Sequence, residues 1–442
     1  MSTRIPTEES LDTQQKDFLK KLKDNHYVGQ NIWIKGFPGS GKSVLLVYAI
    51  KYLLNNEATQ NAKILLVVFT HSLIELCKAE LAELNITNVK IVTMYEFLKT
   101  KRKYDYIFCD EVQDLTSRIL IKMKDQTRYM LIVAGDSNQS IYSKDPQYQE
   151  AVVIPEKITQ LIDSEDWGLL YVYRLTRSII TAIQKMIPSM NIFSAKRYML
   201  KRDTQIRLCK AEFVDQEVEY IMREARKFVN RNQSCAILFP TKDKVLEFCD
   251  TVLQLEHKPV WEKWIDQYYE PYFKRLNDHL KENQVPIECV VNSYGSLLAA
   301  ENDKRIVIMT YHGVKGLDFD NVFIPFANTD LYIPGDSNIT QKLFMVAMSR
   351  SRNNLYITYT GMPLSYVSLF SSDSTICANI SISNELHPNL SDDINIDFKI
   401  VFIEASDEAL IRRFNEARRS HPLSASSTTR EAIQEERDKL SG

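Results

Sequence analysis

An eight-residue stretch near the amino terminus, GFPGSGKS from Gly36 to Ser43, constrains the fold more than any other part of the sequence. It matches the pattern G-x-x-x-x-G-K-[S/T] at every fixed position and follows an apolar-rich run, 31–35. In this pattern, glycines let successive backbone N–H groups face a phosphate, and the helix beginning near Lys42 adds the positive end of its dipole. The stretch therefore predicts a strand, a phosphate-binding loop and a helix. A glycine-rich turn that merely joins strand to helix is the alternative.

The chemistry of the loop predicts a bound nucleotide and Mg2+. Lys42 would reach the terminal phosphates, and the Ser43 hydroxyl would be a ligand of the metal ion. The complete set of nucleotide contacts predicted for the loop is Gly36, Pro38, Gly39, Ser40, Gly41, Lys42 and Ser43.

A cluster of acids follows a second apolar run, 104–109. In a nucleotide-driven motor, the end of such a strand holds the metal and the attacking water, so we predict Asp110 as a metal ligand and Glu111 as the base that orients water. Acids at a strand end also cap helices, which is the alternative interpretation. Gln139 follows another strand, 129–134, where its amide could sense the γ-phosphate.

Composition allows a globular protein of two or three domains, because 442 residues with 44% hydrophobic and 25% charged content can form substantial cores. The seven cysteines are scattered, with no C-x-x-C pair, which argues for reduced thiols and against a zinc or iron–sulfur site. No uninterrupted apolar run approaches the roughly twenty residues of a spanning helix. We therefore expect a cytoplasmic protein that is neither secreted nor inserted in a membrane.

The charge balance gives no global attraction to nucleic acid, since the formal net charge is −2. Any such binding must be local. The candidate basic clusters are at 99–103, 196–202 and 412–419, and each is either a solvated face or a binding surface.

The alternation of short apolar runs with helical patterns predicts an α/β fold with parallel sheets. Besides the runs already named, 62–70 and 90–93 are predicted strands of a first sheet. The strands predicted for a second sheet are 205–208, 234–240, 288–292, 305–310, 321–325 and 355–360.

Taken in order, the motifs resemble those of superfamily 1 helicases of the UvrD, Rep and PcrA type. The matching segments are LDTQQK, GFPGSGKS, VVFTHS, TMYEFL, DEVQD, GDSNQSIY, VYRLTRSI, MTYHGVKGLDFDNVF and KLFMVAMSRSRNNLYIT, from about residue 11 to residue 370. The resemblance implies two tandem RecA-like lobes with ATP in the cleft between them.

For the nucleotide, the resemblance implies that Gln15 contacts the adenine edge and that Tyr173 stacks on its face. Arg174 and Arg350 would reach the γ-phosphate from the second lobe, with Arg350 as the arginine finger. Gln139 would couple hydrolysis to lobe closure. Gly316 and Asp318 would line the nucleotide side of the cleft.

For nucleic acid, the resemblance implies that Thr310 and His312 contact a single strand. Phe69, Thr70 and Tyr142 are further possible strand contacts. Ordinary packing is the alternative for His312, as it is for Tyr173.

The departures from the family are informative. Only residues 99–104 separate the TMYEFL segment from the DEVQD strand, so a large subdomain inserted there in processive enzymes is absent. Residues 143–146 replace an element whose aromatic ring stacks on bases, and a second insertion is reduced to a short helical remnant near 261–281. Stacking contributes about 1–3 kcal/mol per base, so these losses predict weaker strand engagement.

We predict a first lobe at 1–170, a second lobe at 171–370 with a helical insertion near 255–285, a linker at 371–395 with one short strand, and a small C-terminal α/β appendage at 396–442. The appendage, FKIVFIEASDEALIRRFNEARRSHPL and the residues after it, resembles part of the RapZ/YvcJ nucleotide-binding family. It has no phosphate loop of its own, so it cannot be a complete second nucleotide site.

The leading hypothesis is an Mg2+-dependent ATPase that binds single-stranded DNA or RNA and works with a protein partner, such as a nuclease in antiphage defence. The competing hypothesis is a nucleotide-switched interaction module with no nucleic-acid track. A third is a DNA-end sensor within a larger repair complex.

Overall fold

The structure is a computed structural model that describes residues 5–24, 29–136, 140–145, 147–190, 196–197, 203–265 and 272–386. The chain divides into two units, Met1–Pro388 and Asn389–Gly442. The predicted C-terminal appendage, 396–442, is not among the described residues, and neither are Gln139 and the basic cluster at 412–419.

The first sheet contains six strands, all parallel, in the order β3-β2-β4-β5-β1-β6. The strands are β1 (Asn31–Gly36), β2 (Ile64–Val68), β3 (Lys90–Thr93), β4 (Tyr104–Cys109), β5 (Thr127–Gly135) and β6 (Ser164–Leu169). Every residue of β2 is buried, as expected for a parallel strand covered on both faces. The sequence patterns predicted the first five strands but not β6, whose sequence SEDWGL has no apolar run.

Helices cover the first sheet, and most of them are capped at the amino end by a hydroxyl or carboxylate side chain. The helices are α1 (Thr13–Lys23), α2 (Lys42–Leu54), α3 (His71–Glu83), α4 (Met94–Lys99), α5 (Ser117–Gln126) and α6 (Ile158–Ile162). Thr70, Thr93 and Thr116 each accept a hydrogen bond from a backbone N–H in the first turn of α3, α4 and α5. Such caps satisfy donors that the helix leaves unpaired and define where each helix begins.

A short segment connects the two sheets. It contains β7 (Tyr171–Val172), α7 (Arg177–Met186) and β8 (Lys196–Arg197), and β7 pairs with β8 in parallel. Tyr173 and Arg174, two of the predicted site residues, directly follow β7.

The second sheet contains seven parallel strands in the order β11-β12-β10-β13-β14-β9-β15. The strands are β9 (Ile206–Ala211), β10 (Cys235–Phe239), β11 (Ile287–Cys289), β12 (Ile306–Thr310), β13 (Phe319–Ile324), β14 (Ser351–Thr360) and β15 (Cys377–Ser381). The helices are α8 (Val214–Asn230), α9 (Lys242–Leu255), α10 (Phe273–Glu282), α11 (Leu297–Asn302), α12 (Ser337–Met348), α13 (Ser365–Ser368) and α14 (Ile382–Leu386).

The two parallel sheets confirm the predicted α/β fold class with tandem lobes. Strand β15 falls in the stretch 371–395, where the sequence predicts a linker with one short strand, and it forms the edge of the second sheet beside β9. Of the aromatic-rich segment near 261–281, Trp261 is buried and donates from its indole N–H to Asp250 at 2.9 Å, whereas Trp264 is exposed and lies under the guanidinium of Arg275.

No described helix is long and apolar enough to cross a lipid bilayer. The seven cysteines are all buried free thiols.

A buried carboxyl anchors the chain where β13 ends. Glu217 of α8 is fully buried, and its Oε1 accepts hydrogen bonds from the Phe326 backbone N–H at 2.7 Å and the Thr358 hydroxyl at 2.5 Å. Phe326 has a φ of +58°, a conformation that a bulky side chain seldom adopts. Burial raises the pKa of Glu217 to about 7. Below about pH 7 the folded protein therefore favours the protonated carboxyl.

This anchor predicts a pH dependence of stability. Because the folded pKa is near 7 and the ordinary value is 4.5, the folded state binds the proton more tightly, and the free energy of unfolding should fall by about 3 kcal/mol as pH rises from about 4.5 to 7. Replacing Glu217→Gln should flatten this part of the profile in urea titrations at a series of pH values. The exposed residue Glu219→Gln is the control, and an unchanged profile for Glu217→Gln would contradict the assignment.

Candidate nucleotide site between the two sheets

The predicted phosphate loop lies at the carboxyl end of β1, as its sequence requires. Gly39 and Gly41 have φ angles of +72° and +83°, in the left-handed region that favours glycine. A Cβ on Gly36 would lie 2.3 Å from the Ser40 hydroxyl oxygen. These three glycines let the loop curl tightly before α2 begins at Lys42. Pro38 lies within the same turn and is buried.

Lys42 folds back over this loop. Its Nζ donates hydrogen bonds to the carbonyl oxygens of Gly36 at 2.9 Å and Phe37 at 3.1 Å. Burial lowers the pKa of Lys42, while the charges of Asp136, Glu111 and Asp110 act in the opposite direction. The ammonium group is thus inside the loop and surrounded by acids, where it could exchange its carbonyl partners for phosphate oxygens.

The two predicted metal ligands are in contact. The Ser43 hydroxyl donates to Asp110 Oδ2 at 2.5 Å, which joins the start of α2 to the end of β4. Burial and the neighbouring Glu111 raise the pKa of Asp110 to about 6, and the Ser43 hydrogen bond partly opposes this shift. Among the described residues no group of three or more His, Cys, Asp or Glu side chains forms a metal site. Ser43 and Asp110 nevertheless fit Mg2+, which commonly uses few protein ligands together with phosphate oxygens.

Glu111 is held in a strained position next to Asp110. Its φ is +55°, unusual for a residue with a side chain, and 6% of its surface is exposed. Gln113 donates from its amide to Glu111 Oε2 at 2.6 Å. Burial alone would raise the pKa of Glu111, but the charges of Lys315, Lys42 and Arg350 lower it. The carboxylate therefore stays ionised and oriented, as a base for water must.

The amide of Gln113 also connects β4 to β5. Its Oε1 accepts from the Asp136 backbone N–H at 3.1 Å. A Cβ on Gly135 would lie 2.2 Å from this oxygen, so the residue before Asp136 must be glycine for the bridge to form.

Lys315 was missed by the sequence interpretation. It follows β12 in the second half of the chain and has no exposed surface. Its Nζ donates to Asp114 Oδ2 and lies 3.8 Å from Glu111 Oε2. Burial raises the pKa of Asp114 to about 6, and the charge of Lys315 limits the rise. A lysine in the short motif YHGVKGL, directly after a strand, is the sequence signal that could have indicated this role.

Arg174 lies directly against the phosphate loop. A Cβ on Gly39 would be 2.6 Å from the Arg174 Cβ. The Arg174 Nη1 donates to Asp318 Oδ2 at 3.0 Å, while its Nε is buried and makes no hydrogen bond to any described residue. Asp318 also accepts from Arg352 Nε at 2.9 Å. Burial would raise the pKa of Asp318, but the two guanidinium charges keep it well below its usual range.

Arg350, the predicted arginine finger, is held by its own lobe in this conformation. Only 2% of its surface is exposed. Its Nε donates to the Val346 carbonyl at 2.9 Å, and its Nη2 donates to the Ser349 hydroxyl at 2.8 Å. Burial lowers the pKa of Arg350 to about 9, with Arg174 adding to the effect and Glu111 opposing it. Its charge is therefore close to the first-lobe acids, while its Nε and Nη2 donate to groups of its own lobe.

The two residues predicted to contact adenine flank the same loop. Gln15 is 3% exposed, and its Nε2 lies 3.5 Å from the Ser40 carbonyl oxygen. Its side-chain oxygen also accepts from the Asp12 backbone N–H, which caps α1. The Tyr173 backbone N–H donates to Gly39 O at 2.9 Å, and the Tyr173 hydroxyl donates to the Asp12 carboxylate.

Three of the five predicted strand contacts form one aromatic cluster, which we call the ring stack: Phe69, Tyr142 and His312. The Phe69 and Tyr142 rings are 5.4 Å apart and nearly parallel, at 21°. Tyr142 and His312 are also 5.4 Å apart, at 38°. Burial and the charge of Lys315 lower the pKa of His312 to about 4, so its ring is neutral near pH 7. The cluster joins the two halves of the chain.

The other predicted residues have local structural roles here. Thr70 Oγ1 accepts from the Leu73 N–H at 3.4 Å, and Thr310 Oγ1 accepts from the Gly313 N–H at 3.1 Å. Gly316 has a φ of +82°, and a Cβ there would lie 3.0 Å from the Leu73 side chain of α3. Gly316 thus packs the second lobe against the first.

Sequence families match three parts of the chain. Residues 24–145 match an AAA domain, residues 291–361 match the UvrD-like helicase C-terminal domain, and residues 376–442 match the RapZ-like N-terminal domain. The chain resembles the UvrD-type superfamily 1 helicases, with a RapZ-like segment at its end. Strands β1 to β5 of the first sheet thus lie in a part of the chain similar to AAA domains, and β12 to β14 of the second in a part similar to UvrD-like helicases.

Two curated relatives match a short stretch of the chain. A nucleotide-binding protein of Syntrophomonas wolfei subsp. wolfei is 59% identical over 49 residues, which are 11% of this chain and 17% of the relative. A nucleotide-binding protein of Caldanaerobacter subterraneus subsp. tengcongensis is 57% identical over 47 residues, 11% of this chain and 16% of the relative. The chain thus spans about one sixth of the length of these relatives.

Two solved viral helicases have a low structural similarity to this chain. The PRRSV helicase has 13% identity and a TM-score of 0.39, covering 76% of this chain and 54% of its own. Arterivirus nonstructural protein 10 (helicase), in complex with DNA, has 15% identity and a TM-score of 0.40, covering 79% of this chain and 64% of its own.

The position of Lys315 predicts a strong effect on stability. Lys315→Met removes the cation but leaves the buried carboxylates of Asp114 and Glu111, so it should lower the free energy of unfolding by about 3–5 kcal/mol. Adding Asp114→Asn should recover part of this loss, because one unpaired charge is removed with it. Urea titration measures all three proteins, with the exposed residue Lys210→Met as control. Parental stability for Lys315→Met would contradict the assignment.

Proposed function

We propose that this chain is an Mg2+-dependent ATPase that binds single-stranded nucleic acid and couples hydrolysis to movement along the strand or to control of a partner protein. The observation that carries the proposal is Arg174. Its Nε is buried against the phosphate loop with no hydrogen-bond partner among the described residues. An unpaired buried donor costs about 1–3 kcal/mol, more when charged, and a phosphate oxygen would satisfy it.

The loop and its neighbours supply the parts that phosphoryl transfer needs. The terminal phosphates of ATP would replace the Gly36 and Phe37 carbonyls as partners of Lys42. Ser43 and Asp110 would hold Mg2+, whose charge stabilises the negative charge on the phosphates. Glu111, kept ionised, would orient the attacking water.

The second lobe completes the site. Arg174 would contact phosphate after releasing Asp318, and Arg350 would act as the finger after rotating away from Val346 and Ser349. Asp318, Gly316, Gln15 and Tyr173 would contact the rest of the nucleotide. We propose that 1–170 and 171–370 are the two lobes that close on it.

The ring stack supports a strand-binding role. Its rings offer stacking surfaces, and stacking contributes about 1–3 kcal/mol per base. His312 is neutral near pH 7, so it would interact with a base by stacking rather than by charge. Thr70 and Thr310, at the ends of neighbouring elements, would contact the backbone.

We further propose that the protein acts in the cytoplasm with a protein partner, such as a nuclease. The sequence has no convincing nuclease constellation of acids and lysine, so cutting would fall to another protein. A role in antiphage defence is an analogy of architecture. The RapZ-like segment resembles proteins named for nucleotide binding but lacks a phosphate loop, so we propose no second nucleotide site.

One observation favours a second function, that of a nucleotide-switched interaction module. In the ring stack, Tyr142 packs against both Phe69 and His312, so the rings occupy each other's stacking faces. A base would have to separate them. The contacts would then report lobe closure to a protein partner, with no nucleic-acid track.

Two substitutions test the nucleotide site. Lys42→Ala should abolish ATP hydrolysis, because the charge on the terminal phosphates loses its cation. Arg350→Ala should lower kcat by about a thousandfold while nucleotide affinity stays largely intact. Steady-state ATPase assays and fluorescent-nucleotide titrations measure both, and Arg207→Ala, on β9 beside Tyr356, is the matched control. Hydrolysis at the parental rate by Lys42→Ala would overturn the proposal.

The two candidate functions differ in their response to nucleic acid. A strand-binding motor should hydrolyse ATP at least tenfold faster with single-stranded DNA or RNA at a stated salt concentration, because strand contacts bias lobe closure. The double substitution Phe69→Ala with Tyr142→Ala should remove the stimulation and leave the basal rate in place. Equal rates with and without either nucleic acid would favour the switch.

A further inference from the structure

Seven cations lie at the amino-terminal edge of the first sheet, which is the edge opposite the phosphate loop. We call them the basic rim. All are exposed: Lys63, Lys90, Lys99, Lys101, Arg102, Lys103 and Arg128. Only the run 99–103 is visible as a cluster in the sequence.

The topology of the sheet gathers these residues. In parallel strands all amino ends meet at one edge, and β3, β2, β4 and β5 are consecutive neighbours. Lys90 begins β3, Lys63 precedes β2, the run 99–103 precedes β4, and Arg128 is the second residue of β5. Neighbouring strands are about 4.8 Å apart, so the rim extends over roughly 14 Å.

The backbone beneath the rim is fixed by hydrogen bonds. The Gln126 amide donates to the Thr100 carbonyl at 3.0 Å, and Lys122 donates to the Leu98 carbonyl. Asp105 accepts from the Lys63 N–H at 2.8 Å and from Arg128 Nη1 at 3.1 Å. The rim is therefore a preorganised surface, which reduces the entropy that a ligand must overcome.

The positive charge of the rim is largely uncompensated. Within the described part of the chain, Arg128 is the one rim residue with an ion pair, to Asp105. The other six cations have no ion pair to a described acid, on a protein whose formal net charge is −2. A polyanion is the ligand whose charge would complement them.

We propose that the basic rim binds the phosphate backbone of double-stranded nucleic acid. A duplex strand carries one phosphate per roughly 3.4 Å, so a rim of about 14 Å spans about four of them. Five of the seven cations are lysines, which are depleted in protein–protein interfaces but common in phosphate contacts. Tyr129 is exposed at this edge, and its ring packs against the ring of Tyr106 with the two centroids 5.9 Å apart. The Tyr129 ring therefore offers little stacking surface to unpaired bases.

The rim is separate from the proposed strand site. The six residues of β4 extend about 20 Å between the rim and Asp110. A protein could thus hold a duplex at one edge of the first sheet while nucleotide and single strand occupy the other. The surface therefore adds a second nucleic-acid contact to the proposed function and does not depend on the ring stack.

The test compares full-length variants on a fluorescent 20-base-pair blunt DNA duplex, which has no single-stranded end. In anisotropy titrations at several salt concentrations, Lys101→Ala/Arg102→Ala/Lys103→Ala should weaken binding at least tenfold near 0.1 M salt. It should also reduce the slope of log K against log salt by about 3, since each phosphate contact contributes about 0.9. The control Lys210→Ala/Lys274→Ala/Lys281→Ala, with three exposed lysines of the second lobe, should bind like the parent.

Nucleotide affinity and basal ATP hydrolysis should be unchanged in the rim variant, which separates this proposal from the one for the nucleotide site and shows that the variant is folded. An unchanged salt slope for the rim variant would overturn the proposal. So would equal competition by poly-glutamate of matched charge, which would indicate an acidic protein as the ligand, or a loss confined to single-stranded DNA.

Discussion

The site between the two sheets depends on the ion pairs that the Lys315 ammonium makes with Glu111 and Asp114. Glu111 and Asp114 are buried at the end of β4, where burial alone would favour their protonated forms. A lysine with no exposed surface, from the loop after β12, supplies the compensating charge. Breaking such a buried pair is costly because an unpaired charge remains. Glu111, the proposed base for water, thus belongs to the first lobe, while a residue of the second lobe keeps it ionised, so the proposed site depends on both lobes together.

The lack of a side chain at two glycines of the phosphate loop is as important for the packing of the site as its charges are. A Cβ on Gly39 would collide with Arg174, and one on Gly41 would lie 2.5 Å from the Gln15 amide nitrogen. Both glycines also have left-handed φ angles. The same residues therefore let the loop curl around a phosphate and let the neighbouring elements approach it. A side chain at Gly39 would therefore disturb both the conformation of the loop and its contact with Arg174. The glycines thus let the loop and its neighbours pack closely without a ligand.

Local patterns predicted most of the first sheet, because apolar runs of five or six residues between helical patterns have few other interpretations. The phosphate loop and the acids after β4 were predictable because each directly follows such a run and has a local residue pattern of its own. Lys315 was not, since its partner Asp114 is 201 positions away in the chain. Thr70 and Thr310 show the opposite difficulty, because a hydroxyl in a motif can cap a turn as well as contact a ligand, and here both accept local N–H bonds. The role of Gln139 stays a prediction, since it lies outside the described residues.

Movement of one lobe relative to the other would change contacts at the carboxyl edge of the first sheet but not at its amino edge. At the carboxyl edge, Lys315, Arg174 and the ring stack all join groups from both lobes, so any rotation of the second lobe must alter them. The basic rim is built from first-lobe residues alone, and hydrogen bonds within that lobe fix its backbone. A duplex on the rim would therefore stay in place while contacts to a single strand at the carboxyl edge form and break. Under the two proposals, one fixed and one movable contact would be available for directional motion without an inserted subdomain between α4 and β4.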